Sequence, residues 1–243
     1  MPCVIEMKNV SFSAQDRILV NDFSYKFKDG KTTALIGPSG CGKSTVLKLA
    51  AGLVTPSEGR VFFRGKNIAR MSRAENLLFR REAAVVFQDS ALWENQNLFQ
   101  ILELPLRVHF PRMTQEERKR KIEETAAEVG CKKNLAVRPS ELSMGEQKLL
   151  AFARAMICGP NLLFLDEWTE SLDESAARRL IEKVKKMREQ GSSLIIVSHD
   201  IKIIRELADI VVVIAGGKLY LQLAKDQITC DEDIKRCLEG ETA

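Results

Sequence analysis

The chain has 243 residues, 45% hydrophobic and 29% charged, enough to bury a full core without disulfide or metal staples. Its 37 basic and 33 acidic side chains leave a net charge of +4, too weak to argue for nucleic acid. No apolar stretch approaches the roughly 20 residues that span a bilayer. The six cysteines (3, 41, 131, 158, 230, 237) form no CxxC pair and have no histidine at ligand spacing, so no zinc or redox motif is signalled and a reducing compartment fits. Met1-Pro2-Cys3-Val4-Ile5-Glu6 does not resemble a secretory leader, so a cytoplasmic location is expected.

Residues 4–36 read as three strands, 4–12, 23–27 and 33–36, split by the turn signals Gln15-Asp16 and Asp29-Gly30, and suggest an antiparallel-rich leading part. The third runs into Gly37-Pro38-Ser39-Gly40-Cys41-Gly42-Lys43-Ser44, the phosphate-loop pattern GxxxxGK[ST]. A polyphosphate needs converging backbone N–H groups, a helix N-terminus, a point cation and a hydroxyl for Mg²⁺. Gly37, Gly40 and Gly42 permit the close approach, Lys43 is the cation, Ser44 the hydroxyl, and Thr45 and the residues behind it propagate a helix that Gly52 can stop. A chance glycine-rich turn is the bland alternative.

A strand at 60–63, a charged helix at 73–82 and a strand at 83–87 follow. From 89 to 158 the β-branched runs vanish and helical spacing recurs at 99–104, 115–129 and 145–157, which predicts an all-helical insert. Glu116 with Arg120 and Glu117 with Lys121 stand at i,i+4 on the second helix, a solvated face rather than a binding patch. Strands at 162–165, 193–197 and 210–214 then alternate with helices at 174–190 and 201–207, the pattern of a parallel sheet with crossover helices. The fold class expected is α/β: one domain over 1–243, with a P-loop nucleotide-binding core from 1–88 and 159–243 and a helical subdomain from 89–158.

Phosphoryl transfer to water needs a held metal, a group acting on the water, and donors to the γ-phosphate. The strand 162–165 ends in Asp166-Glu167, so Asp166 can reach Mg²⁺ together with Ser44 while Glu167 acts on the water; two surface acids closing a strand is the alternative. A second apolar strand ends in Ser198-His199-Asp200, which delivers His199 to the carboxyl edge of the sheet. His109, beside Phe110-Pro111, reads as structural or surface.

In order, the phosphate loop, Gln88 after a strand, Leu142-Ser143-Met144-Gly145-Glu146, Asp166-Glu167, Ser171-Leu172-Asp173 and His199 resemble an ATP-binding cassette (ABC) transporter ATPase over essentially the whole chain. The resemblance implies ATP and Mg²⁺ as ligands and a second copy of the chain as partner, with ATP sandwiched head to tail. Pro38, Ser39 and Cys41 join the loop residues that hold the nucleotide. Ser143 and Gly145 serve the partner's γ-phosphate in trans, and Asp173 lines the dimer contact. Gln88 couples Mg²⁺ and water to the insert, which docks on transmembrane permease subunits, and His199 holds the γ-phosphate. Lys43, Gln88, Glu167 and His199 are the catalytic set; Ser44, Gln88 and Asp166 serve the metal. The chain is then expected on the cytoplasmic face of the inner membrane, through the permease.

Several positions depart from the family pattern. Met144 adds bulk where Gly is usual, and Glu146 adds a negative charge facing the opposite nucleotide, with reduced affinity or rate as the consequence. Trp168 replaces a Pro and is expected to reshape the turn toward Asp173. Ala14 stands where an adenine-stacking aromatic is usual, and Phe12 reads as core. Cys41 reads as a packing residue, with a reactive thiol.

Asp89-Ser90-Ala91-Leu92-Trp93, Asn97-Leu98-Phe99, Pro105-Leu106-Arg107-Val108-His109 and the acidic ending at 233–241 are similar to the ATPases of MCE-type (Mla-like) lipid transporters, which implies an MCE-domain lipid-binding subunit among the partners. Importer ATPases for amino acids or other polar solutes share much of this pattern. Soluble ABC ATPases acting on ribosomes or DNA usually carry two cassettes or a long coiled-coil insertion, neither of which this sequence has. A degenerate regulatory cassette is opposed by Lys43, Asp166, Glu167 and His199.

Overall fold

The computed structural model describes residues 2–15 and 17–227. Asp16 of the first turn, Cys230, Cys237 and the acidic ending at 233–241 lie outside the described residues. Two sheets organise the chain. The first runs β2 (Arg17–Lys28), β1 (Cys3–Ala14), β4 (Glu58–Phe63), β5 (Lys66–Asn67), with β1 antiparallel to both β2 and β4. The second has the order β10 (Lys218–Ala224), β9 (Ile210–Ala215), β3 (Thr32–Ile36), β8 (Ser193–Val197), β7 (Leu162–Asp166), β6 (Ala83–Val86), parallel throughout except where β10 returns against β9.

This arrangement corrects the expectation for the third strand. β3 does not belong with the leading antiparallel part; it pairs in parallel with β8 and β9 at the middle of the second sheet. All five of its residues are buried, as suits a strand covered on both faces. Alternation divides the core into two clusters. Ala34 and Ile36, Leu163 and Leu165, Leu194 and Ile196 face the helices of the insert and α6 (Glu174–Glu189). Leu35, Phe164, Ile195 and Val212 face α1 (Lys43–Ala50) and the first sheet. Adjacent residues of a strand point to opposite faces, so one short apolar strand serves both cores.

The helices begin where the sequence offers caps. Ser72 and Glu75 form a reciprocal capping box on α2 (Arg73–Glu82), as do Asn97 and Gln100 on α3 (Leu98–His109) and Thr114 and Glu117 on α4 (Gln115–Val129). Glu117 is therefore bound to the Thr114 backbone and not to Lys121, a correction with a clear reason: the orphan N–H groups of the first turn compete for its carboxylate. The i,i+4 pairs of α4 are instead Lys119 with Glu123 and Arg120 with Glu124, loose contacts of 4.0 and 3.9 Å on an exposed face. Between 89 and 158 the described elements are α3, α4, α5 (Met144–Met156) and a short 3-10 turn, Pro139–Glu141, so the insert is helical as expected. No helix among the described residues is long and apolar enough to cross a membrane.

Candidate nucleotide site

Four parallel strands deliver the site to one edge of the second sheet. β3 ends at Ile36 before the phosphate loop, β6 ends two residues before Gln88, β7 ends at Asp166, and β8 ends two residues before His199. The crevice at the carboxyl edge of an open α/β sheet is where ligands bind in such folds. A cleft of about 640 Å³ lies there, lined by Ser39, Gly40, Gly42, Lys43, Ser44, Thr45, Gln88, Glu167 and His199.

The loop is built for close approach. Gly42 has φ 103°, and a Cβ on it would stand 2.4 Å from Leu19 O; one on Gly37, with φ 141°, would stand 2.1 Å from Ile214 O. No side chain could be accommodated at either position without moving backbone. Gly42 caps α1 with no side-chain hydrogen bond, which leaves first-turn N–H groups to an anion. Lys43 is 94% buried, and its Nζ donates to two loop carbonyls, Gly37 O and Pro38 O, both at 2.9 Å. Cys41 packs under the loop, its Sγ 4.0 Å from Lys43 Nζ. Burial pushes its thiol up, with Lys43 opposing, so the expected reactivity is corrected: the thiolate is disfavoured where the thiol sits.

Ser44 Oγ donates to Asp166 Oδ1 at 2.9 Å, joining the first turn of α1 to the end of β7. A hydroxyl and a carboxylate side by side are hard oxygen ligands of the kind Mg²⁺ takes in small number beside phosphate oxygens. Burial raises the Asp166 pKa, and the Ser44 hydrogen bond and nearby lysines oppose it. These groups fit Mg²⁺ and a polyphosphate.

Glu167 adopts φ 41°, a left-handed backbone uncommon for this residue type and of the kind found at functional sites. Its N–H donates to Val197 O at 3.1 Å, which ties the strained residue to β8. Oε1 is buried without a hydrogen-bond partner among the described residues and lies 3.4 Å from His199 Nε2. Burial is the main cause that brings the Glu167 pKa up to about 7; a hydrogen bond from the His199 backbone opposes it, while the Asp166 and Glu170 charges add to it. His199 is half exposed, and burial and the Lys43 charge lower its pKa, so its imidazole is neutral at pH 7. A carboxyl that titrates near neutral pH beside an uncharged imidazole suits proton abstraction from water once it is ionised.

Gln88 reaches the same cleft, but two residues absent from the sequence analysis fix it. Its Nε2 donates to Glu170 Oε2 at 3.0 Å. Lys148, 3% exposed in the middle of α5, donates to the Gln88 carbonyl and, at 3.4 Å, to that of Phe87. Arg154 on the same helix holds the carbonyls of Ala91 at 2.6 Å and Ser90 at 3.2 Å. The segment after β6 is thus hung from the insert.

Ser143, Gly145 and Asp173 do not line the cleft. Ser143 caps α5, Gly145 sits in its first turn, and a Cβ on Gly145 would come within 3.0 Å of Ser171 O. Asp173 caps α6 through Ala176 N at 2.8 Å. Glu146 does not project freely as a charge: its carboxylate accepts from the Ser143 N–H at 2.9 Å and hydroxyl at 3.0 Å and pairs with Lys133 at 3.6 Å. Met144 is 71% exposed. Trp168 is fully buried and stacked on Phe152, with centroids 5.8 Å apart, so it anchors the turn after Glu167 to α5. Leu19, not Ala14, borders the cleft from the first sheet. Phe12 is half-buried and packs against the core that covers α1. His109 closes α3 with Nδ1 buried and unpartnered among the described residues, and burial lowers its pKa.

The fold and the cleft define a P-loop nucleotide-binding α/β protein. The family model for the ABC transporter matches residues 20–170, more than half of the sequence. The chain belongs to the ABC transporter family, as an ATP-binding subunit with ATPase function. It is 34% identical over 231 residues to the nickel import ATP-binding protein NikE of Shigella flexneri, covering 93% of this chain and 86% of that one. It is 32% identical over 242 residues to the intermembrane phospholipid transport system ATP-binding protein MlaF of Haemophilus influenzae, covering 98% and 91%. Among solved structures, the dimeric bacterial ABC transporter cassette MJ0796 superposes with a TM-score of 0.84 at 27% identity, over 91% of this chain and 98% of that one. Its post-hydrolysis dimer, bound to ADP and phosphate, superposes with a TM-score of 0.83 at 26% identity over the same shares.

Proposed function

We propose that two copies of this chain hydrolyse ATP in shared sites and drive a permease that moves phospholipid. The observation that carries the two-copy reading is that Ser143, Gly145 and Asp173 stand outside the cleft that one chain builds, leaving the γ-phosphate side for a second copy to complete. The dimeric cassettes of similar fold support it. Loop N–H groups and Lys43 bind the polyphosphate, and Ser44, Asp166 and Gln88 hold Mg²⁺. Glu167 takes the proton of the attacking water, and His199 Nε2–H donates to the γ-phosphate. When bound, ATP supplies the phosphoryl group and Mg²⁺ the positive charge that offsets its oxygens.

Lipid as cargo is supported by the segments Ala91-Leu92-Trp93 and Pro105-Leu106-Arg107 and by the MlaF relative, which matches nearly the whole chain. Nickel or another polar solute is the second reading, favoured by the NikE relative. Purification of the intact membrane complex, with mass spectrometry of its other chains and bound small molecules, decides between them. A permease, an MCE-domain subunit and copurifying phospholipid are expected; a solute-binding protein for nickel or an amino acid would overturn the cargo and leave the ATPase untouched.

A further inference from the structure

Gln88 can meet a metal only through its amide oxygen, yet its amide can sit either way round, so something must choose the orientation. Glu170 does not belong to any motif read from the sequence, but its carboxylate is the partner of Gln88 Nε2, at 3.0 Å. An ionised carboxylate offers acceptors only, so the end of the amide that faces it must be the NH₂. The opposite end, Oε1, is then the one offered to a cation. Lys148 completes the clamp from the other side, fixing the Gln88 and Phe87 carbonyls from a buried position in α5. With backbone and side chain both held, neither rotation of the amide nor displacement of the segment is free.

We propose that Glu170 is a positioning residue for the metal: it holds the Gln88 amide with its oxygen available to Mg²⁺, and so tunes the affinity for MgATP without binding the nucleotide. The inference rests on the assignment of Gln88 as a metal ligand. Glu170 also brings a third carboxylate beside Asp166 and Glu167; burial lowers the Lys148 pKa, and the charges of Glu170, Asp89, Asp166 and Glu167 oppose that shift. The same cluster joins the insert to the hydrolytic edge of the sheet.

Two measurements on the full chain test the proposal. In the nucleotide-free protein, the side-chain amide resonances of Gln88, assigned through Gln88→Ala, should shift in Glu170→Ala; unchanged resonances would overturn the contact. Equilibrium binding of ATP is then measured with excess Mg²⁺ and with a chelator. Glu170→Ala should weaken MgATP binding roughly tenfold, the worth of one charge-assisted hydrogen bond, without weakening metal-free ATP binding. Glu170→Gln, whose own amide can accept or donate, should fall between the two. In a Gln88→Ala background, Glu170→Ala should have no further effect, whereas additive losses would overturn the positioning role. Equal loss with and without Mg²⁺ would do the same. A wild-type chain that binds no ATP in either condition would instead strike the nucleotide assignment, while the amide resonances still decide the contact.

Discussion

Glu167 Oε1 and His199 Nε2 face each other at 3.4 Å, brought together by the ends of two neighbouring parallel strands, β7 and β8. Burial pushes the Glu167 carboxyl up to about 7, and as the proposed base it can act only when ionised, so the rate is expected to follow its titration. We expect kcat/KM for ATP to fall tenfold per pH unit below about pH 7, and the acid limb to move in Glu170→Gln toward lower pH as one neighbouring charge is removed. A profile flat from pH 6 to 8 would remove Glu167 from the proton transfer.

The same raised pKa costs stability. A carboxyl whose folded pKa, about 7, exceeds its unfolded value of 4.5 binds more protons folded than unfolded between those values, so the fold loses stability as pH rises through the window. The full cost, on the order of 3 kcal/mol or less, is present above pH 7 and absent below about pH 4.5. Glu167→Gln should therefore raise the Tm of the nucleotide-free chain at pH 8, with the gain shrinking toward pH 5. A gain of equal size at both pH values would place its origin elsewhere.

Trp168 fills the core behind the turn that follows Glu167, stacked on Phe152. Trp168→Ala should cost about 3–5 kcal/mol, read by urea denaturation. Its Nε1 has no hydrogen-bond partner among the described residues, so Trp168→Phe sacrifices no hydrogen bond and should cost less than about 1.5 kcal/mol. A Trp168→Phe loss well above that would mean that the indole N–H is held after all.

Much of this architecture could be read from local sequence. The span of α7 (Ile201–Leu207), like those of α2, α4 and β8, agrees with the reading residue for residue, because capping side chains and continuous apolar runs mark their limits. β10 went unread: its residues are half-buried or exposed, its only apolar run is the short Leu219-Tyr220-Leu221, and it forms by pairing with β9. The membership of β3 depends on β8, about 160 residues away, and nothing in residues 33–36 specifies that partner. Within the site, the phosphate loop, Asp166-Glu167 and His199 follow strands and are visible as such. Glu170 and Lys148 are not, since each acts through Gln88, 82 and 60 residues away in sequence.

The proposed sharing of the site between two copies predicts how mixtures behave. Lys43→Ala chains lack the phosphate cation and Ser143→Arg chains lack the capping serine of α5, so each is expected to be inactive alone. Mixed at equal concentration, they should recover a fraction of wild-type turnover through composite sites that pair an intact loop with an intact Ser143. No recovery in mixed dimers demonstrated by crosslinking would confine the whole site to one chain.

Steady-state ATP hydrolysis of wild type and Glu167→Gln, with ATP binding measured in parallel, shows whether Glu167 acts on the attacking water. Glu167→Gln should bind ATP as tightly as wild type, turn over at least about a hundredfold more slowly, at the lower range of general-base contributions, and elute with ATP as a dimer. Near-normal turnover in Glu167→Gln would contradict that role.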